Sequence, residues 1–191
     1  RDWLSAVKEF ARSCHADEEH GEQVRTLAMA IFAALTADPA LDQRARQMLE
    51  AAALLHDVGY FISYDRHHKH SYHLIHHADL FGFSPRELEL VANLARYHRR
   101  GGPQSDHPAY ASLPRQDRLT VNRLAAILRV ADALDKSHTQ RVQSPAFSIQ
   151  DGELRIDAGP GEDLALERVA LDAKGGLFEE VFGLKPVIVE G

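Results

Sequence analysis

Disulfide chemistry is the first thing this sequence excludes, because Cys14 is its single cysteine and no intramolecular bridge can form. No apolar run approaches the roughly 18 residues that suggest a membrane span, and the N-terminus carries no signal-peptide pattern. Both absences lead us to expect a cytoplasmic protein with no membrane partner. Positive charge is also in short supply. Twenty-two Lys and Arg face 28 Asp and Glu, a formal net charge of −6, which argues against general nucleic-acid binding driven by phosphate neutralisation. The sequence shows no internal repeat and no low-complexity segment. What remains, 45% hydrophobic and 26% charged residues with 12 Gly and 8 Pro, has the proportions of one globular domain with a small appendage.

Histidine is in excess. Seven of the 12, His56, His67, His68, His70, His73, His76 and His77, fall between positions 56 and 77. Charge is uneven too: residues 1–141 hold 18 acidic and 18 basic side chains, whereas 142–191 hold 10 and 4. The hydrophobic period changes at the same place. Residues 1–142 read as a mainly α, helical body and residues 143–191 as a small C-terminal α/β tail packed on it.

From about Glu19 to Leu35, Val24, Leu27, Ala28, Ile31 and Leu35 recur at helical spacing, and His20, one turn before Val24, points toward the same face. A second helix, about Gln43 to Asp57, turns Met48, Ala52, Leu55 and His56 inward and ends at Gly59, read as a left-handed cap. Ser71 to Asp79 forms a short helix. Ser84-Pro85 with Glu87 starts a clearer one, with Leu88, Val91, Ala95 and His98 in register. Gly101-Gly102-Pro103 and Pro108 break the stretch from Arg99 to Arg115, which is either a lid or a linker. The next helix, about Asp117 to Ser137, carries Val121, Leu124, Ala125, Leu128, Ala131, Asp132 and Asp135 on one stripe. In the tail, Phe147, Ile149, Leu154 and Ile156 alternate across Asp151-Gly152 and predict a hairpin. A helix through Leu166 to Val181, broken or not at Gly175-Gly176, and an edge strand from Pro186 to Val189 complete it.

Two carboxylates on an apolar stripe need a counter-charge, since burying an unpaired charge is costly. His20, His56-Asp57 and Asp132 come from three helices, each on or beside its core-facing stripe, and imidazole with carboxylate suits a divalent cation. Singly, each has a plainer reading: a satisfied core histidine, a helix-end aspartate, an arginine's partner. Together they read as a metal site.

The order His20, His56-Asp57, Asp132 resembles the HD superfamily of metal-dependent phosphohydrolases. The segments LLHDVGYFISYDRHHKHSYHLIHHADLFGF, LARYHRR and RVADALDKSHTQRV are similar to the C-terminal HD region of the exopolyphosphatase and guanosine pentaphosphate phosphatase (Ppx/GppA) family, from about His15 to Val142. That resemblance implies an HD-domain helical body and a divalent ion, magnesium, manganese or another transition metal, on His20, His56, Asp57 and Asp132. A second ion would use His70 and His98, two ions about 4 Å apart being able to hold a phosphoryl oxygen and a bridging hydroxide. Asp57 and His98 become the catalytic candidates. Full-length members of the family carry their polyphosphate-hydrolysing site in an actin-like, two-lobed domain, no part of which lies in these 191 residues. A separately encoded actin-like partner is therefore an expectation, and the edge strand from Pro186 to Val189, able to pair between chains, adds a homodimer as another. Tyr60-Phe61 stands where guanosine tetraphosphate hydrolases of the superfamily have an acidic pair, which disfavours that activity.

Nine basic residues lie between positions 96 and 141 (Arg96, Arg99, Arg100, Arg115, Arg118, Arg123, Arg129, Lys136, Arg141), beside His98 and Asp132. Of these, Arg99, Arg100 and Arg129, with Lys69 behind them, are the expected phosphate contacts; a solvated basic face is the competing reading. Tyr60, Tyr64, Tyr72 and Tyr97 receive no role. The expected function is a metal-dependent phosphohydrolase acting on a phosphate ester or phosphoanhydride of a nucleotide or polyphosphate. The alternative is a non-catalytic polyphosphate- or nucleotide-binding regulatory or dimerisation module.

Overall fold

In the computed structural model, which describes residues 2–35, 37–160 and 163–189, helical periodicity governs the body as far as Ala133. Helices α1 (Asp2–Ser13), α2 (Glu18–Ala34), α3 (Gln43–Leu55), α4 (His67–His76), α5 (Pro85–Arg96), α6 (Pro108–Ala111) and α7 (Arg115–Ala133) are followed by strands β1 (Ala146–Gln150) and β2 (Glu153–Asp157), helices α8 (Ala165–Lys174) and α9 (Gly176–Phe182), and strand β3 (Lys185–Val189). Side-chain caps set the helix starts. Asp17 accepts from the His20 amide at 3.1 Å, Asp42 from the Ala45 amide at 2.8 Å, and Ser84 and Glu87 form a reciprocal capping box at α5. Helix α3 is buried on every side from Gln47 to Leu55, packed between α2 and α5, while α7 lies across α2 and α5. Among the described residues no helix is long and apolar enough to cross a membrane.

Gly59 is not a left-handed cap. Helix α3 stops at Leu55, His56 is its C-cap, and Gly59 sits in a 3₁₀ turn, Val58–Phe61. Its small size is needed because α4 begins against it: a Cβ there would lie 1.9 Å from the His67 carbonyl oxygen and 2.5 Å from the Ser71 nitrogen. Ser71 fastens the contact, its Oγ donating to the His56 carbonyl at 2.9 Å and accepting from the Gly59 amide at 2.8 Å. Gly59→Ala must push α4 off this turn, and we expect a loss of about 3 kcal/mol or more of stability. Thermal and denaturant unfolding check this; a variant as stable as the parent would refute the close-packing account.

Helix α4 starts at His67, earlier than the expected Ser71, behind Arg66 at a positive φ of 54°. His67 and His68 are therefore buried, while His73, His76 and His77 are exposed. The stretch from Arg99 to Arg115 contains α6 and is tied to its neighbours: the Tyr97 hydroxyl hydrogen-bonds His107 Nδ1 at 2.7 Å, and Asn122 donates to the Tyr110 hydroxyl at 2.6 Å. It behaves as a fastened linker. In the tail, Asp151 (φ 52°) and Gly152 (φ 72°) make the hairpin turn, β2 pairs antiparallel with β1 and parallel with β3, and Leu154 and Ile156 are buried. Ile149, expected inward, is exposed on the edge strand. The tail helix breaks at Gly175, where a Cβ would stand 2.8 Å from the Leu171 carbonyl oxygen.

Candidate metal centre

His20, in the first turn of α2, His56 and Asp57, at the end of α3, and Asp132, in the last turn of α7, bring their side chains to one point. His20 Nε2 lies 3.2 Å from His56 Nε2 and 2.9 Å from Asp132 Oδ1; His56 Nε2 lies 3.1 Å from Asp132 Oδ1 and 3.3 Å from Asp57 Oδ2; His20 Nε2 lies 3.7 Å from Asp57 Oδ2. These are the separations adopted by donors about 2.1 Å from a shared cation. The tautomers agree. His20 Nδ1 is 2.7 Å from Asp135 Oδ2 and His56 Nδ1 is 2.7 Å from the Ala53 carbonyl, so each Nδ1–H is a donor and each Nε2 points inward, where it takes either a proton or a cation. Asp135 is itself held by the Gln140 amide at 2.8 Å. The two carboxylates on the α7 stripe thus have separate roles: Asp132 faces the centre and Asp135 aims His20.

Asp57 joins this cluster to a second one. Its Oδ1 lies 3.0 Å from His67 Nε2 and 3.1 Å from His98 Nε2, and those two nitrogens are 3.2 Å apart. His67, rather than the expected His70, occupies this place. Three residues further along α4, His70 is turned away by about 60° and displaced along the axis by about 4.5 Å. Arg99 donates to His67 Nδ1 at 2.8 Å, which keeps the His67 proton on Nε2 and makes that atom a donor to Asp57. His98 Nδ1 donates to the Ala95 carbonyl, leaving its Nε2 as an acceptor.

The electrostatics follow from burial opposed by charge. Burial alone would lift both carboxylates. The His56 charge and hydrogen bonds from His56 and His67 hold Asp57 well below the usual range instead, and the Lys174 and His56 charges do the same for Asp132. Burial would depress His56, but Asp57 and Asp132 overcome it and raise it to about 10; for His98 burial wins, giving about 4. His20 is raised against its burial by Asp132 and Asp135.

A cavity of about 240 Å³ opens over the cluster, lined by Asp57, Asp132, His67 and His98 together with Arg99, Arg100, Lys136, Lys174, Tyr60, Tyr64 and His138. Of the nine basic residues between 96 and 141, Arg99, Arg100 and Lys136 line it. Lys69 is exposed and outside the lining. Arg129 does not reach the cavity. It is buried, and its guanidinium donates to the Tyr97 carbonyl at 2.8 Å and the Lys174 carbonyl at 3.4 Å.

Besides His67, four residues lie outside the sequence reading of the site. Lys174, from the tail, hydrogen-bonds Asp132 Oδ2. His138 stacks on His20 with centroids 3.6 Å apart. Tyr60 stacks on His67 at 3.9 Å, and Tyr64 on Tyr60 at 5.4 Å. Helical register gave no signal for any of them, since all four contacts depend on the segments between helices or on the docking of the tail.

Compared with known proteins, residues 4–173 match the family model described as Ppx/GppA phosphatase, domain III. The guanosine-5'-triphosphate,3'-diphosphate pyrophosphatase of Photobacterium profundum is 30% identical over 142 residues, 73% of this chain and 27% of that protein. The proteins of that name from Aeromonas salmonicida and Aeromonas hydrophila are 34% and 33% identical over 143 and 141 residues, 72% of this chain and 27% of theirs in each case. The chain therefore spans about a quarter of the length of these relatives.

Proposed function

This chain belongs to the Ppx/GppA phosphatase domain III family, and from that premise we propose that it is an HD-type, metal-dependent phosphohydrolase acting on a phosphate ester or phosphoanhydride of a nucleotide. One observation carries the reading: two imidazole Nε2 atoms, each aimed by a bonded Nδ1–H, converge with two carboxylates from separate helices. His20, His56, Asp57 and Asp132 would hold the ion, and Asp57, His67 and His98 would hold a second one once Arg99 releases His67 Nδ1. When bound, such a cation polarises a phosphoryl oxygen and lowers the pKa of water.

The chain's own groups do the rest. Arg99, Arg100 and Lys136 line the cavity where phosphoryl oxygens would sit and stabilise their charge. Asp57, ionised and facing both histidine pairs, orients the attacking water. At about 240 Å³ the cavity is smaller than the roughly 300–1,000 Å³ that encloses a whole drug-sized ligand, so it takes the charged end of a substrate and leaves the remainder outside. There the exposed rings of Tyr60 and Tyr64 continue the stack that begins at His67. A nucleobase fits such a ledge and a linear polyphosphate has no use for it, which favours a nucleotide. The names of the relatives, guanosine-nucleotide pyrophosphatases, point the same way.

The test is phosphate release from a panel of nucleotides and polyphosphates, with several divalent ions, on wild type and Tyr64→Ala. Base stacking on an aromatic ring contributes about 1–3 kcal/mol, so we expect Tyr64→Ala to raise KM for nucleotides about tenfold with kcat little changed. Metal-loaded wild type that hydrolyses nothing in the panel, yet binds polyphosphate through Arg99, would replace this reading with the non-catalytic module.

A further inference from the structure

The tail sends one side chain into the site. Lys174, the last residue of α8, is half-buried, hydrogen-bonds Asp132 Oδ2 and lines the cavity with Arg99, Arg100 and Lys136. Its backbone is held from two directions: Arg129 donates to its carbonyl at 3.4 Å, and the following amide, of Gly175, donates to the Leu171 carbonyl at 2.7 Å. Asp132 divides its carboxylate accordingly, with Oδ1 toward His20 and His56 and Oδ2 toward Lys174. An ammonium group has three N–H donors, and among the described residues Asp132 is its one hydrogen-bond acceptor. A half-buried cation with donors to spare, lining a cavity beside a carboxylate, is placed to meet an anion there.

We propose that Lys174 has two roles in the site: it positions Asp132 through Oδ2, and it donates its remaining N–H groups to a phosphoryl oxygen in the cavity. The tail is on this account a working part of the site and adds a positive charge to those of Arg99, Arg100 and Lys136. The inference rests on the phosphohydrolase reading for the nature of the anion, but its test does not depend on turnover.

The probe is inorganic phosphate. Its affinity is measured by calorimetry on manganese-loaded wild type, Lys174→Met and Lys174→Arg, with manganese stoichiometry counted in the same samples. Lys174→Met should bind phosphate at least about tenfold more weakly while still taking up manganese, because it removes a charge-assisted hydrogen bond to the anion. Lys174→Arg should recover most of the loss. Lys174→Met protein that holds manganese and binds phosphate as wild type does would overturn the proposal and leave Lys174 as a structural counter-charge. Should that variant fail to fold, the side-chain ¹⁵N resonance of Lys174 in magnesium-loaded wild type decides: phosphate must shift it, and an unmoved resonance refutes the contact. Wild type that hydrolyses nothing but binds phosphate through Lys174 removes the hydrolase reading and keeps this one. Turnover in wild type with unaltered phosphate affinity in Lys174→Met does the reverse.

Discussion

Asp57→Ala is expected to lose stoichiometric divalent metal and to lower phosphate release by about 10³-fold or more. The size of the effect follows from the division of labour between the two carboxylate oxygens, Oδ2 facing His56 and His20 and Oδ1 facing His67 and His98. One substitution removes a charged ligand from the main cluster and the link to the second. It also leaves four buried imidazoles with Asp132 as the one carboxylate remaining between the two clusters. Asp57→Asn, of the same shape, separates charge from volume: it should keep the fold, and bind metal little better than the alanine variant. Elemental analysis after dialysis, paired with phosphate release, provides the measurement. An Asp57→Ala protein that retains one equivalent of metal would sink the proposed ligand set.

Apparent metal affinity should climb steeply with pH. A proton and a metal ion compete for the same lone pair on His56 Nε2, because Nδ1 is already committed to the Ala53 carbonyl. With His56 raised to about 10 and Asp57 and Asp132 held well below the usual carboxylate range, the proton on His56 is the competitor through neutral pH. The sign is fixed by that direction: below about pH 10 the site holds the proton, so lowering the pH weakens metal binding and raising it strengthens binding. We expect about a tenfold gain in association constant per pH unit for each proton displaced, from pH 6 to 9. His20, also raised, steepens the slope where both rings are protonated. Calorimetry in buffers of different ionisation enthalpy counts the protons released. An affinity flat across this range, with no proton release, would contradict the competition.

The helical body and the three-stranded tail were legible because period and capping agree: Ser84 with Glu87 starts a helix in sequence and in space, and Asp151-Gly152 turns a hairpin in both. The convergence of His20, His56, Asp57 and Asp132 was legible for the same reason, each lying in register with an apolar stripe. His67 was not. Its place depends on where α4 begins, which is set by contact with Gly59 and by the left-handed Arg66, and neither is a standard start signal. Arg129 misled because an arginine beside Asp132 invites a phosphate role, whereas burial commits its guanidinium to main-chain carbonyls. Lys174 was invisible to local pattern, 42 residues from the carboxylate it holds.

Four helices finish at this cavity: α3 before His56-Asp57, α5 before His98, α7 with Asp132 in its last turn, and α8 at Lys174. Each aligned peptide ladder ends in partial negative charge, equivalent to about half an electron, and favours a cation within its last turn. The backbone itself therefore makes the site a sink for positive charge before any carboxylate is counted. α2 and α4 present their opposite ends, that of α2 already neutralised by Asp17, Glu18 and Glu19. An anion entering this field is repelled unless side chains reverse it locally. Arg129, bridging the ends of α5 and α8, takes up part of that field at two of the four termini and so would favour an anion in the cavity without touching it.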